Sequence, residues 1–293
     1  MMYVQNKTNV KVGIPLNRKQ AISFFDSTYR KNELWGFSHG TMTVELMLKD
    51  NPHVQIMGLE HNQYEEYWRI IQAKFTKNVA RNQEMIDSTI AVNLNIWQGL
   101  VNYCREQNVK VGEINTLGFT LLQLQGWLKG VGLTETESKE ITNQGFRRFV
   151  KGFQTIFASA PNTLFIIAAG NEGSDSAINP DINNQIILPN TMAIGALFKD
   201  LRKVSYSNYG RDVEVYAPAH FALVNSKDSH PESSGTSAAS PVVCNLAIKL
   251  FCLNPNLSPK QVKNLIIDSS DKDLYELGIN VINPKKAVEL LKK

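Results

Sequence analysis

Short apolar runs alternate with longer helical patterns along most of the chain, and this alternation limits what it can fold into. The predicted strands are Ala21–Phe25, Val54–Leu59, Ile90–Trp97, Thr163–Ala168, Thr191–Leu197 and Val213–Tyr216. They are runs of Val, Ile, Phe and Leu rather than strict polar–apolar alternations, as expected of parallel strands covered on both faces. The predicted helices are Gly40–Leu48, Glu65–Asn82, Thr136–Ala158, Thr236–Leu253 and Pro259–Ile267. Ser258-Pro259-Lys260-Gln261 reads as an N-cap, a proline at the first helical position and a capping-box glutamine, and Asn283-Pro284 opens a last helix in the same way. The pattern implies an α/β fold with a mainly parallel sheet. Residues 98–135, with Gly118, Gly126, Gly130 and Gly132, fit the alternation less well and read as a partly helical insertion into a single domain spanning 1–293.

Composition excludes several functions. The 293 residues carry a formal charge of only +4, with basic residues scattered, so no nucleic-acid partner is expected. The longest apolar runs, such as Leu164 to Ala169, fall well short of the roughly 20 residues that span a bilayer, and no membrane partner is expected. The first ten residues lack the apolar centre of a signal peptide. The three cysteines, Cys104, Cys244 and Cys252, make no CxxC pair and no disulfide framework, so a reduced, cytoplasmic protein is expected, or a secreted one if the start is incomplete. No phosphate-loop motif occurs, and no cofactor is expected. His61 and Glu65 have helical metal-ligand spacing, but Glu60 and Glu66 beside them suggest a solvated acidic face, and no metal is expected.

Three segments carry chemical potential. In Ser234-Gly235-Thr236-Ser237-Ala238-Ala239-Ser240-Pro241 a serine stands where a helix begins. Unpaired amides and the helix dipole there favour developing negative charge, so Ser237 reads either as a nucleophile or as a small-residue cap. In Ser38-His39-Gly40-Thr41-Met42 a histidine opens another helix, with four other histidines in competition for any such role. In Phe165 to Gly173 a buried strand ends at Asn171, whose amide could donate to an oxyanion or merely suit a tight turn.

In this order the three segments resemble the subtilisin-like serine proteases, the subtilases. The resemblance implies a three-layer α/β fold, with His39 of HGT as general base, Asn171 of AAGNEG as oxyanion donor and Ser237 of GTSAASP as nucleophile. Val204 to Gly210, Val215-Tyr216-Ala217-Pro218 and Ile282 to Val288 add weaker similarities. The family's acid is matched by Asp26 in Ile22-Ser23-Phe24-Phe25-Asp26-Ser27-Thr28, unusually close before His39. The rival segment, Val10 to Asn17, has a strand-like run but no acid, and Pro15 argues against a central strand. Asn95, Ile96 and Trp97 are expected where the family pairs its substrate backbone, with Trp97 in place of a glycine. The usual calcium loop and a preceding folding segment have no counterpart in this reading. The activity so implied is hydrolysis of protein or peptide substrates. The alternative is an inactive peptide-binding protein of the same fold, suggested by Trp97, the short Asp26–His39 spacing and the missing prosegment.

Overall fold

The computed structural model describes residues 3–5, 11–13, 39–51, 54–60, 70–115, 117–222, 232–272 and 278–292. Strands β1 (Tyr3–Gln5), β2 (Lys11–Gly13) and β3 (Leu59–Glu60) form a small antiparallel sheet. The central sheet has six strands. Four of them, β4 (Val111–Ile114), β5 (Leu164–Ala168), β6 (Thr191–Leu197) and β7 (Val215–Pro218), run parallel. β8 (Phe221–Ala222) and β9 (Glu232–Ser233) form a separate two-stranded ribbon. The central sheet is completed by β10 (Asp271–Lys272) and β11 (Asn280–Val281), in the spatial order β10-β11-β7-β6-β5-β4 with only β10 antiparallel.

Both faces of this sheet are covered. Helices α2 (Val79–Glu106), α3 (Leu121–Gly130) and α4 (Glu135–Ala158) pack on one side, where Phe165 and Ile167 of β5 meet Phe149, Phe153 and Phe157. Helices α1 (His39–Leu48), α5 (Thr236–Leu253), α6 (Pro259–Ser269) and α7 (Pro284–Leu291) lie on the other, where Leu164 and Ile166 meet Val243, Leu246 and Leu250. The period-2 geometry of a strand sends alternate residues of β5 to opposite layers, and all five are buried. This is the three-layer α/β arrangement expected from the sequence.

The caps follow the local chemistry. Ser258 accepts from the Gln261 N–H while the Gln261 side chain accepts from the Ser258 N–H, and Asn283 caps α7. Thr120 and Thr134 make the same reciprocal boxes on α3 and α4.

Two readings need correction. Ile90–Trp97 is not a strand but the middle of α2. Leu94 and Ile96 mimic strand alternation, yet Ile86, Ile90, Asn93, Trp97, Val101 and Cys104 recur every three or four residues and line one helical face. Residues 98–135 are not an insertion, since they supply the end of α2, strand β4 of the central sheet and helix α3. Smaller differences lie nearby. Residues 73–78 are non-helical within the span expected to be one helix, because Asn78 caps a new helix there. Of the strand expected at Val54–Leu59, only the Leu59 end is ladder-paired in a named strand. Ala21–Phe25 lies outside the described residues.

Trp97 stacks edge-on against Phe153 and Phe157, with ring centroids 5.8 and 6.0 Å away. Trp97→Ala should lower the stability measured by urea unfolding by about 3 kcal/mol, the lower part of the range for large-to-small changes because the indole is only partly buried.

Candidate active site

Three segments meet at the carboxyl end of the parallel strands, where open α/β sheets present their ligand crevices. His39 is the first residue of α1 and Ser237 the second of α5, 198 residues later in the chain, and a 2.8 Å hydrogen bond joins His39 Nε2 to Ser237 Oγ. His39 is exposed, whereas Ser237 is only 9% accessible. The ring's other nitrogen, Nδ1, lies 3.4 Å from Asn115 Nδ2, in the turn directly after β4. Asn115 Oδ1 is buried without a partner among the described residues. An amide turned over about its own axis would present that oxygen to a protonated Nδ1 instead.

Helix α5 begins without a side-chain cap. Its N-cap, Gly235, has φ +97°, a left-handed conformation that favours glycine. A methyl group there would sit 3.1 Å from Ser237 Oγ and 3.6 Å from Asn171 Nδ2, so those two groups flank one point in space. The Gly235 N–H donates to the Tyr206 hydroxyl at 2.7 Å.

Asn171 follows β5 through Gly170, which has φ +104°. Its side-chain oxygen is committed: Oδ1 accepts from the Thr236 N–H at 2.8 Å and from the Thr236 hydroxyl at 3.1 Å. The same hydroxyl accepts from the Gly170 N–H at 3.2 Å. With Oδ1 held, the amide nitrogen of Asn171 faces outward beside Ser237. Neither Asn171 Nδ2 nor the Ser237 N–H has a hydrogen-bond partner among the described residues. Two free donors, a hydroxyl and an imidazole therefore share one small region at a helix N-terminus, a combination suited to stabilising an oxyanion.

Farther in, Ser240 donates to Glu113 Oε1 of β4 at 2.7 Å. Glu113 is half-buried as a residue, but its carboxyl is directed onto the fully buried Ser240, and burial pushes its pKa up to about 8 against the lowering effect of that bond. Among the described residues no three His, Cys, Asp or Glu side chains gather as a metal cage.

Of the residues singled out in the sequence, the structure brings together His39, Ser237 and Asn171. Asp26 and His61 lie outside the described residues. Asn95, Ile96 and Trp97 lie within α2, whose backbone bonds are internal, and cannot add a strand to a bound peptide. Sequence reasoning missed Thr236, Asn115 and Glu113. The glycine–threonine pair before Ser237 was the available signal for the first. The other two were hidden when β4 was read as part of an insertion.

The model of the "Subtilase family" peptidases matches residues 129–284, more than half of the chain. A subtilisin-like protease of Coccidioides posadasii is 28% identical over 166 residues, covering 52% of this chain and 39% of that protein. Subtilisin-like protease 2 of Arthroderma otae is 29% identical over 177 residues, 55% of this chain and 40% of the relative. Alkaline protease 1 of Aspergillus clavatus is 34% identical over 107 residues, 36% of this chain and 26% of the relative. The chain thus spans well under two thirds of these relatives. Among solved structures, a lanthipeptide protease superposes with a TM-score of 0.51 over 86% of this chain and 75% of its own, at 15% identity, a likeness of fold.

Thr236→Val keeps the side-chain shape but leaves the buried Gly170 N–H without its acceptor. Unfolding in urea should show a loss of about 1–3 kcal/mol, largely recovered in Thr236→Ser. A valine variant as stable as wild type would mean the threonine hydroxyl does not tie the two loops.

Proposed function

The chain belongs to the subtilase family, and from that premise we propose that it is a serine endopeptidase acting on protein or peptide substrates. The observation that carries the reading is the 2.8 Å contact between His39 Nε2 and Ser237 Oγ.

In the proposed reaction, Ser237 Oγ attacks the carbonyl carbon of a peptide bond as His39 Nε2 takes its proton. The carbonyl oxygen becomes an oxyanion that accepts from Asn171 Nδ2 and the Ser237 N–H. His39 then gives the proton to the leaving amine, and the acyl group remains on Ser237. A water molecule, deprotonated by the same imidazole, attacks the ester and releases the acid. An orienting group at Nδ1 keeps the proton there and Nε2 free to act as base. Asp26 is proposed for that role from the family pattern, with the Asn115 amide as a further neighbour of the ring. No step needs a metal or an organic cofactor. Trp97, one motive for the peptide-binding alternative, packs in the aromatic layer instead, so it does not favour that alternative.

A fluorophosphonate probe should label folded wild-type protein and leave Ser237→Ala unlabelled. Absence of labelling of folded wild type would favour a peptide-binding role. With casein as substrate, His39→Ala should lower kcat by a factor on the order of 10⁶, the scale seen when subtilisin loses this group. Asn171→Leu should lower it by about 10²–10³ with little change in KM. Asp26→Asn should cost about 10⁴, and unchanged turnover would assign the orienting role to another group.

A further inference from the structure

The turn that bears Asn171 rests on two carboxyl groups that the proposed reaction leaves unused. A methyl group on Gly170 would lie 2.7 Å from Glu172 Oε2 and 2.9 Å from Asp181 Oδ2, so oxygens of both acids converge on one spot against the Gly170 backbone. Asp181 is buried, and its Oδ1 accepts from the Asn183 N–H at 2.8 Å. Glu172 Oε2 accepts from Asn208 Nδ2 at 2.7 Å. Asn208 is itself fully buried and fastens the same turn from below: Nδ2 also donates to Ala169 O, its N–H to Gly170 O, and Oδ1 accepts from the Ser174 N–H.

Among the described residues, Lys203 and Arg211, on the segment that carries Asn208, are engaged elsewhere. Lys203 Nζ lies by the carbonyls of Val204 and Ser207 and over the Tyr209 ring, and Arg211 pairs with Asp212. Asp175 caps the Ala177 N–H, and Asp212 accepts from Ser176 and Gln185. Among the described residues no ion pair involves either acid, and burial beside the Glu172 carboxylate favours the protonated form of Asp181.

We infer that the Glu172–Asp181 pair is a proton-held brace for the turn bearing Asn171, and that loss of the shared proton slackens the oxyanion site. The inference rests on the serine-peptidase reading above. Burial, followed by the charge of Glu172, pushes Asp181 up to about 8. Below that pH the protonated acid donates to its partner and the turn is held. Above it, two negative charges repel, Glu172 can move into solvent, and its bond to Asn208 is lost. Asn171, the residue before it, then loses the support that aims Nδ2 beside Ser237. Glu172 and Asp181 are positioning residues that touch no reacting atom.

The test is the pH dependence of fluorophosphonate labelling and of peptide hydrolysis from pH 6 to 10, with circular dichroism at each pH to confirm folding. Wild-type labelling and kcat should fall about tenfold per unit above pH 8 with KM little changed. Asp181→Asn offers an amide donor that does not titrate, and should keep its pH 7 rate to pH 9.5. Glu172→Gln, at an exposed residue, should also remove the alkaline fall and serves if the buried variant folds poorly. Labelling in which both variants retain the wild-type alkaline fall overturns the inference and leaves the peptidase reading intact. No labelling of folded wild-type protein at any pH overturns both.

Discussion

The site depends on how Asn171 Oδ1 is occupied. The Thr236 N–H and hydroxyl both donate to it, joining the turn after β5 to the first turn of α5. Side-chain amides are otherwise free to rotate, and a donor that must search for an oxyanion provides little preorganised stabilisation. Fixing the oxygen leaves the nitrogen one direction to point, beside Ser237. A backbone amide from the first turn of α5 is thus used to aim a side chain, while the next amide, that of Ser237, stays open. The arrangement needs Gly235 at φ +97°, because a side chain there would crowd the Ser237 hydroxyl and the Asn171 amide.

Around this contact the loops at the sheet's carboxyl edge are held mainly by buried asparagines. Asn183 accepts from the Leu117 N–H and donates to Ala168 O, bridging the segments that follow β4 and end β5. Asn184 donates to Ala169 O, just beyond the end of β5. A carboxamide offers both donors and an acceptor without a charge to desolvate, so it can end strands in a buried place at little electrostatic cost. Where an acid replaces it, as at Asp181 and Glu113, burial drives the group toward its neutral form, which then behaves much like an amide. Apart from the Glu172 carboxylate, the polar layer under the site is therefore built mainly from neutral hydrogen bonds.

Much of this was legible in the sequence because the relevant signals are local. Residues 192–197 and Leu164–Ala168 carry no polar side chain, and the helix opened by Ser258-Pro259 carries its own start signal. Ser237, His39 and Asn171 announced themselves through the glycines and small residues beside them. The failure at Ile90–Trp97 has a physical cause: the aliphatic residues Ile90, Val92, Leu94 and Ile96, two apart, satisfy a strand pattern over eight residues, and only the longer register from Ile86 to Cys104 reveals the helix. Misplacing that element turned β4 into part of an insertion. Its residues Val111 to Ile114 include a glycine and a glutamate, which do not read as a buried strand. Glu113 and Asn115 could not be linked to the site without β4, because their partners Ser240 and His39 are distant in sequence.

The two faces of the sheet divide the work of holding this geometry. The α2–α4 face is aromatic, with Phe119, Phe146, Phe149, Phe153, Phe157 and Phe165 in one cluster. Such rings bury much apolar area, so this face supplies cohesion. The α5 face has one phenylalanine in its cluster, Phe251, and mixes aliphatic residues with a group of alanines, Ala196, Ala217, Ala238, Ala239 and Ala247. Small side chains stabilise less per residue, but they let the helix lie close to the strands. That closeness sets the position of Ser237, because its backbone is carried by the turn containing Ala238 and Ala239. A larger residue at either alanine would have to push α5 off the sheet, since a close-packed interior offers no space to absorb it. The first effect would be a displaced Ser237 Oγ and a lengthened contact to His39. The aromatic layer, on the opposite side of the sheet, would hold the fold together meanwhile. Activity on the α5 face should therefore be more sensitive to side-chain volume than stability is, and on the aromatic face the order should reverse.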